Sequence, residues 1–275
     1  FEATRGNSAL MARLAAYQGA LEEKARQSAP EEEWRIPLAV ILNLGIGEVV
    51  DISPEFTPVS TAGGQGMVLK DRPRAFARAG IPSTVITFLY HDAKENKHPQ
   101  SAEDIIRNGI NVDGRIVPVQ RAGKIRVHFG PIIDLVSRAT VKPARDELVD
   151  VYHAVVEGVK IYFLHHPSIG REVYQQSRGS SIEQIEQAIL LSRGALEVMR
   201  MFDIVPDFIV GNDWTTGPVF AYLKAHPRYK DDPRFKNARF GYKIHNLGRI
   251  FQGRFYTIEH GKAVDLVLFL ALIAA

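Results

Sequence analysis

Between Val49 and Leu89 the sequence spells strand, glycine turn, helix, strand, and that order narrows the folds open to everything around it. Val49-Val50-Asp51-Ile52-Ser53 is an apolar, β-branched run, and Thr61-Ala62-Gly63-Gly64-Gln65-Gly66 is the turn after it. Arg74-Ala75-Phe76-Ala77-Arg78-Ala79-Gly80 closes a helix, and residues 84–89 form a second β-type run. Gly63, Gly64 and Gly66 let backbone amides approach a ligand, and the helix N-terminus behind them favours an anion such as a diphosphate. The spacing is not the dinucleotide fingerprint, and the Lys-Ser/Thr ending of a phosphate-binding P-loop is missing. Taken alone, the stretch reads more readily as a turn that merely needs glycine than as an anion site.

The remaining chain repeats the alternation. Leu10, Leu14, Tyr17 and Leu21 mark one face of an amphipathic helix over residues 7–27, and Ser28-Ala29-Pro30 with three glutamates forms a linker. Residues 1–35 are thereby set apart from a main domain over 36–275. Within that domain, residues 37–44 read as a buried strand, 91–114 as a surface loop with one short helix near 102–107, and 116–120 and 124–129 as β-type runs. Residues 159–164 are a strand running into His165-His166-Pro167. Ser181 and Gln184 form a capping box for a helix reaching Phe202. A strand over 207–211, a helix over 216–224, a charged loop over 227–233 and a strand over 240–244 follow. Alternation of this kind predicts an α/β fold: a doubly wound, three-layer, Rossmann-like domain with a parallel sheet covered on both faces.

With 34 basic and 31 acidic residues and no Lys/Arg-rich block, little points to nucleic acid as a partner. The absence of cysteine excludes disulfides and thiolate chemistry and fits a cytoplasmic protein, or a plastid one if the source is a plant. The chain opens on Phe1 rather than Met, and its apolar last eleven residues, 265–275, are too short to span a bilayer, so we expect a fragment of a longer protein with no membrane span.

In open parallel sheets ligands bind beyond the carboxyl ends of the strands. The residues predicted there are Glu55 with the glycine turn, His166, Asn212-Asp213-Trp214, and His245-Asn246. Each has an ordinary alternative: Asp213 as a helix cap, Trp214 as core filler, either histidine as a buried side chain bonded to a carbonyl. Together they share a theme, since a tryptophan with Asp, Asn and His hydrogen bonds suits a sugar ring. No HExxH and no spaced His/carboxylate set is present, so no metal is expected.

These residues carry a family likeness. Glu55-Phe56-Thr57-Pro58, Gly63-Gly64-Gln65-Gly66, the Pro73–Gly80 stretch and Tyr90 resemble the first motif of the starch synthases and bacterial glycogen synthases. Tyr162-Phe163-Leu164-His165-His166-Pro167, Asn212-Asp213-Trp214-Thr215-Thr216 and Ile244-His245-Asn246-Leu247 with Gln252-Gly253 resemble three later motifs. The likeness implies the N-terminal, acceptor-side half of a retaining GT-B glucosyltransferase, which uses ADP-glucose or UDP-glucose as substrate and an α-glucan as acceptor, with no cofactor. It implies that Gly63, Gly64 and Gly66 contact the donor diphosphate, that His245 and Asn246 serve the reacting glucose as catalytic and donor-binding residues, and that Glu55, Asp213 and Trp214 face the acceptor. It also implies a second Rossmann domain, without which the fragment is inactive. Thr61 stands where the family has Lys and Met67 where it has Asp, removing an ammonium and a carboxylate. The alternative is a non-catalytic glucan-binding or regulatory module.

Overall fold

Even and odd positions along the strands bury into opposite layers, as the two-residue period of a β-strand requires. The computed structural model describes residues 47–91, 100–133, 137–171, 173, 181–245, 254–256 and 263–265. The expected N-terminal helix and linker, the strand over 37–44 and the apolar end after Asp265 lie outside the described residues, as does Asn246.

The elements are β1 (Glu48–Ile52), α1 (Gly64–Arg78), β2 (Ser83–Phe88), α2 (Ala102–Asn108), β3 (Ile110–Val112), β4 (Arg115–Val117), β5 (Gln120–Phe129), β6 (Ile132–Ile133), β7 (Thr140–Lys142), β8 (Arg145–Val156), β9 (Val159–His165), α3 (Ser181–Met201), β10 (Pro206–Asn212), a 3-10 turn (Trp214–Thr216), α4 (Pro218–Ala225), α5 (Pro227–Lys230) and β11 (Arg239–Lys243). A small ribbon pairs Arg254–Tyr256 with Ala263–Asp265. Seven strands make the main sheet, in the order β11-β10-β1-β2-β9-β8-β5.

The first five of those are mutually parallel, which bears out the doubly wound α/β expectation. The other edge departs from it: β8 and β5 run antiparallel to their neighbours. The turn from β8 to β9 uses Glu157 and Gly158, both at positive φ (48° and 81°), the pattern of a tight two-residue hairpin. Other departures are local. β3 forms inside the stretch expected to be loop and pairs as a hairpin with β4, which overlaps the β-type run expected over 116–120, and α5 occupies the expected charged loop.

Even-numbered residues of β2 and β9, Ile86, Phe88, Tyr162 and Leu164, pack with Leu190, Leu191, Leu196 and Met199 of α3. Gly194 lets α3 settle on that face, because a Cβ there would stand 2.7 Å from Leu164 Cδ1. Odd-numbered Val85, Ile161 and Phe163 pack on the opposite side with Leu69 of α1 and Ile105 of α2. Each fully buried side chain of this size contributes about 1.5–3 kcal/mol, so two such layers hold the sheet rigidly between them.

The chain leaves β1 for β2 and β9 on one side, then returns to place β10 on the other side of β1. The carboxyl ends of β1 and β10 therefore flank the topological switch point, where an open α/β sheet leaves a crevice.

Candidate active-site cleft

The glycine turn follows β1 and enters α1 directly. No side chain of the turn caps the helix; instead Glu55, buried, accepts from the amides of Ala62 and Gly63, at 2.9 Å each. A carboxylate at a helix N-terminus is favoured by the partial positive charge there. The three glycines consequently differ. The Gly63 amide is occupied by Glu55. Gly66 is buried, and a Cβ on it would stand 2.9 Å from Thr57 Oγ1, 3.0 Å from Thr61 Oγ1 and 3.2 Å from the Ser60 carbonyl. Gly64 is exposed, with nothing within 4 Å of where a Cβ would be. Thr61 shares a 2.6 Å hydrogen bond with Thr57, so it braces the loop. Met67 is exposed.

Stability should separate these glycines: Gly66→Ala is expected to cost about 1–3 kcal/mol through overpacking, while Gly64→Ala stays within about 0.5 kcal/mol. Urea unfolding of both variants checks this.

After β10, Asp213 takes φ 59° and ψ 176°, a conformation that costs a non-glycine residue about 1–3 kcal/mol and concentrates at functional sites. Hydrogen bonds at its amide, carbonyl and carboxylate hold it. Its amide donates to Lys243 O (2.9 Å), its carbonyl accepts from the Thr216 hydroxyl (2.8 Å), and its Oδ1 accepts from the His245 amide (2.7 Å). The side chain thus makes no cap for the following 3-10 turn and ties the β10 exit to the β11 exit instead. Trp214 is 7 % exposed and packs with Ala188 and Ile185 of α3, supporting the turn from beneath.

Beneath the cleft lies a polar network that sequence reasoning missed. Asp51 is odd-numbered in β1 and therefore points to the α1 side, where Arg72 pairs with it. Asn212, fully buried, directs Nδ2 at three acceptors: Ile52 O (3.1 Å), Asp51 Oδ1 (3.2 Å) and Val210 O (3.3 Å). That fixes the amide orientation and leaves Asn212 Oδ1 for Arg72 (3.3 Å) and His245 Nε2 (2.9 Å). An amide oxygen only accepts, so Nε2 of His245 carries the hydrogen and Nδ1 keeps its lone pair. Burial, then the charges of Lys243 and Arg72, push the His245 imidazole down to about 4, against a smaller opposing pull from Glu55. The ring is neutral at physiological pH. Gln65 completes the group, donating to Ser53 Oγ at 3.0 Å. The one visible signal was a carboxylate inside an otherwise apolar strand, which demands a partner.

The structure therefore brings Glu55, the glycine turn, Asp213 and His245 to one crevice. It leaves His166 apart, on Glu147 (3.3 Å) beyond β9.

The profile of the starch synthase catalytic domain matches residues 48–268. This chain belongs to that family. The starch synthase family comprises glucosyltransferases of the GT-B type, and the sheet described above is one Rossmann-like half of that architecture. Glycogen synthase from Thermotoga maritima is 28% identical over 212 residues, covering 76% of this chain and 36% of that protein. Glycogen synthase from Thermodesulfovibrio yellowstonii is 25% identical over 209 residues, covering 74% and 37%. Glycogen synthase 1 from Geobacter sulfurreducens is 33% identical over 100 residues, covering 36% and 19%. Among solved structures, the catalytic domain of Starch Synthase IV from Arabidopsis thaliana bound to ADP and acarbose matches with TM-score 0.49 and 20% identity, covering 76% of this chain and 35% of that one. The chain spans about a third (36%) of the length of the curated relatives it matches first.

Proposed function

We propose that this chain is the acceptor-side half of a retaining glucosyltransferase that moves glucose from ADP-glucose or UDP-glucose to an α-glucan. The observation that carries the reading is the meeting of three strand exits at the switch point, with His245 pinned neutral above Asn212. In this reading Nδ1 of His245 accepts from a hydroxyl of the reacting glucose, and Asn246, the next residue in sequence, serves the same sugar. A retaining transfer passes through a cation-like sugar while charge gathers on the departing diphosphate, and dipoles already fixed in place stabilise that charge without reorganising. Gly64 is the glycine left to meet the diphosphate, since Glu55 holds Gly63 and the loop encloses Gly66. With Thr61 supplying no ammonium, the counter-charge for the nucleotide falls to a second Rossmann domain. Asp213 and Glu55 form the acceptor wall, with Trp214 behind it.

The nucleotide-sugar is a substrate, and the reaction as proposed uses no cofactor. No helix among the described residues is long and apolar enough to cross a membrane. The named glycogen synthase relatives are bacterial, so the plastid alternative draws no support from them and we propose a cytoplasmic setting.

The test is calorimetric titration of the natural full-length protein with ADP-glucose and UDP-glucose, paired with a radiolabelled glucose-transfer assay. One donor should bind, and Gly64→Ala should weaken it about tenfold, the equivalent of 1.4 kcal/mol of lost contact. The 275-residue chain by itself should transfer nothing. Binding of malto-oligosaccharide with no binding of either donor would convert the assignment into a non-catalytic glucan-binding module.

A further inference from the structure

Two strands along the sheet from the cleft, the carboxyl ends of β2 and β9 bring three metal-ligating side chains together. His91 follows β2, His165 ends β9, and Glu103 lies in the first turn of α2. One ligand atom from each lies within 4.8 Å of the others. The fold builds this meeting deliberately. β2 and β9 pair in parallel with Phe88 opposite Leu164, so their exits are adjacent. The Ala102 amide donates to Tyr90 O (3.1 Å), and Ser101 and Asp104 form a capping box, so the start of α2 is pinned against the end of β2.

Backbone carbonyls select the tautomers. His91 Nε2 lies 2.6 Å from His166 O, and His165 Nδ1 lies 3.4 Å from Leu89 O. Carbonyl oxygens only accept, so in the neutral rings those nitrogens carry hydrogen, and the lone pairs rest on His91 Nδ1 and His165 Nε2. Metal-bound histidines show this same arrangement, donating the second ring N–H to a carbonyl. His91 Nδ1 then faces the Glu103 carboxylate at 3.4 Å, a gap that either a proton on the ring or a metal cation can bridge. A tetrahedral zinc with bonds of about 2.0–2.1 Å sets neighbouring ligands roughly 3.3 Å apart, close to that separation. Glu103 is mostly exposed and has room to adjust.

We propose that His91, His165 and Glu103 form a binding site for a zinc-class divalent transition metal that clamps the β2 and β9 exits to α2. Two imidazoles and one carboxylate suit zinc or cobalt(II) and not magnesium or calcium, which take oxygen sets. Three protein ligands leave the fourth position to water. No metal-ligand spacing is visible in the sequence because the two histidines stand 74 positions apart, and the pairing of β2 with β9 is what joins them.

The experiment is titration of EDTA-stripped, dialysed protein with cobalt(II) chloride, read by visible absorption, and with zinc chloride, read by calorimetry. One equivalent of each should bind, with the intense visible bands of tetrahedral cobalt, and excess magnesium should not compete. His165→Ala and Glu103→Gln, each checked by circular dichroism for an intact fold, should bind more than about tenfold more weakly, at least the loss seen when a supporting partner is removed. A Glu103→Asp variant retains the carboxylate and should keep measurable binding. Absence of saturable cobalt binding, or equal binding by wild type, His165→Ala and Glu103→Gln, would falsify the site.

Discussion

Arg72→Leu should lower the unfolding free energy by about 3–5 kcal/mol at pH 7, because it strands a buried carboxylate without its counter-charge. Asp51 is 1 % exposed, and in the native protein Arg72 and Asn212 are its polar partners. Burial already raises its carboxyl above the usual range, with Arg72 and then Asn212 pulling it back. The sign of the pH dependence follows. A carboxyl whose folded-state value is raised contributes stability that is fully present below its ordinary value and is lost as pH rises through the folded value. Without Arg72 that value climbs further, so the deficit of the variant should be largest at neutral pH and should shrink on acidification, as Asp51 takes up a proton. Urea denaturation of both proteins at pH 7 and near pH 4 measures it. An equal deficit at both values would mean that lost packing of the Arg72 stem, and not the stranded charge, is responsible. Asp51→Leu with Arg72→Leu together should recover much of the loss, since apolar replacement of a whole buried pair is often neutral.

The second large effect falls on activity. In the natural full-length protein, His245→Ala should reduce kcat about 10²-fold, the scale of removing one fixed polar group that acts on developing charge in the transition state. The pH profile sharpens the test. His245 sits with Lys243, Arg72 and Glu55 around it and its Nε2–H on Asn212 Oδ1, and it titrates near 4. An ordinary histidine is largely protonated at pH 5; this one stays neutral there, so the His245 lone pair remains available and the acid limb it imposes on kcat should fall near 4. An NMR titration of the ring would give the same midpoint. A midpoint near 6.5 would remove the basis for the pinned neutral ring. Asn212→Ala should reduce kcat as well and should move that midpoint, which a merely structural residue would not do.

What could be read without coordinates was whatever chemistry stays local in sequence. A strand exit is a few contiguous residues, so Glu55, the glycine turn, Asp213 and His245 stand beyond their strands as expected, while Asn212 is the last residue of β10 itself. The support beneath them was hidden. Lys70, Arg72, Arg74 and Arg78 are all cations of one helix, and only the phase of α1 against β1 decides that Arg72 reaches Asp51. β8 was unread because Arg145-Asp146-Glu147 opens it with charge, although Val149, Val151, Ala154 and Val156 then bury on alternate sides. The glycines were overread as a group, since identical residues in one turn meet an internal carboxylate, an open space and a hydroxyl cage.

The two ends of the main sheet are finished differently. At the β5 end, Lys124 and Arg126 stand exposed across from Asp150 and Asp146, and fixed charges of this kind resist addition of a foreign strand. At the β11 end, Phe240, Tyr242 and Ile244 are each about half exposed, and among the described residues no strand pairs beyond β11. The backbone edge of a strand beside apolar side chains is a template for aggregation. Copies of this chain prepared by themselves should accordingly stack edge to edge through β11. Phe240→Lys should suppress that self-association in light scattering without touching the cleft, which makes β11 the place to engineer before any binding measurement is attempted at high concentration.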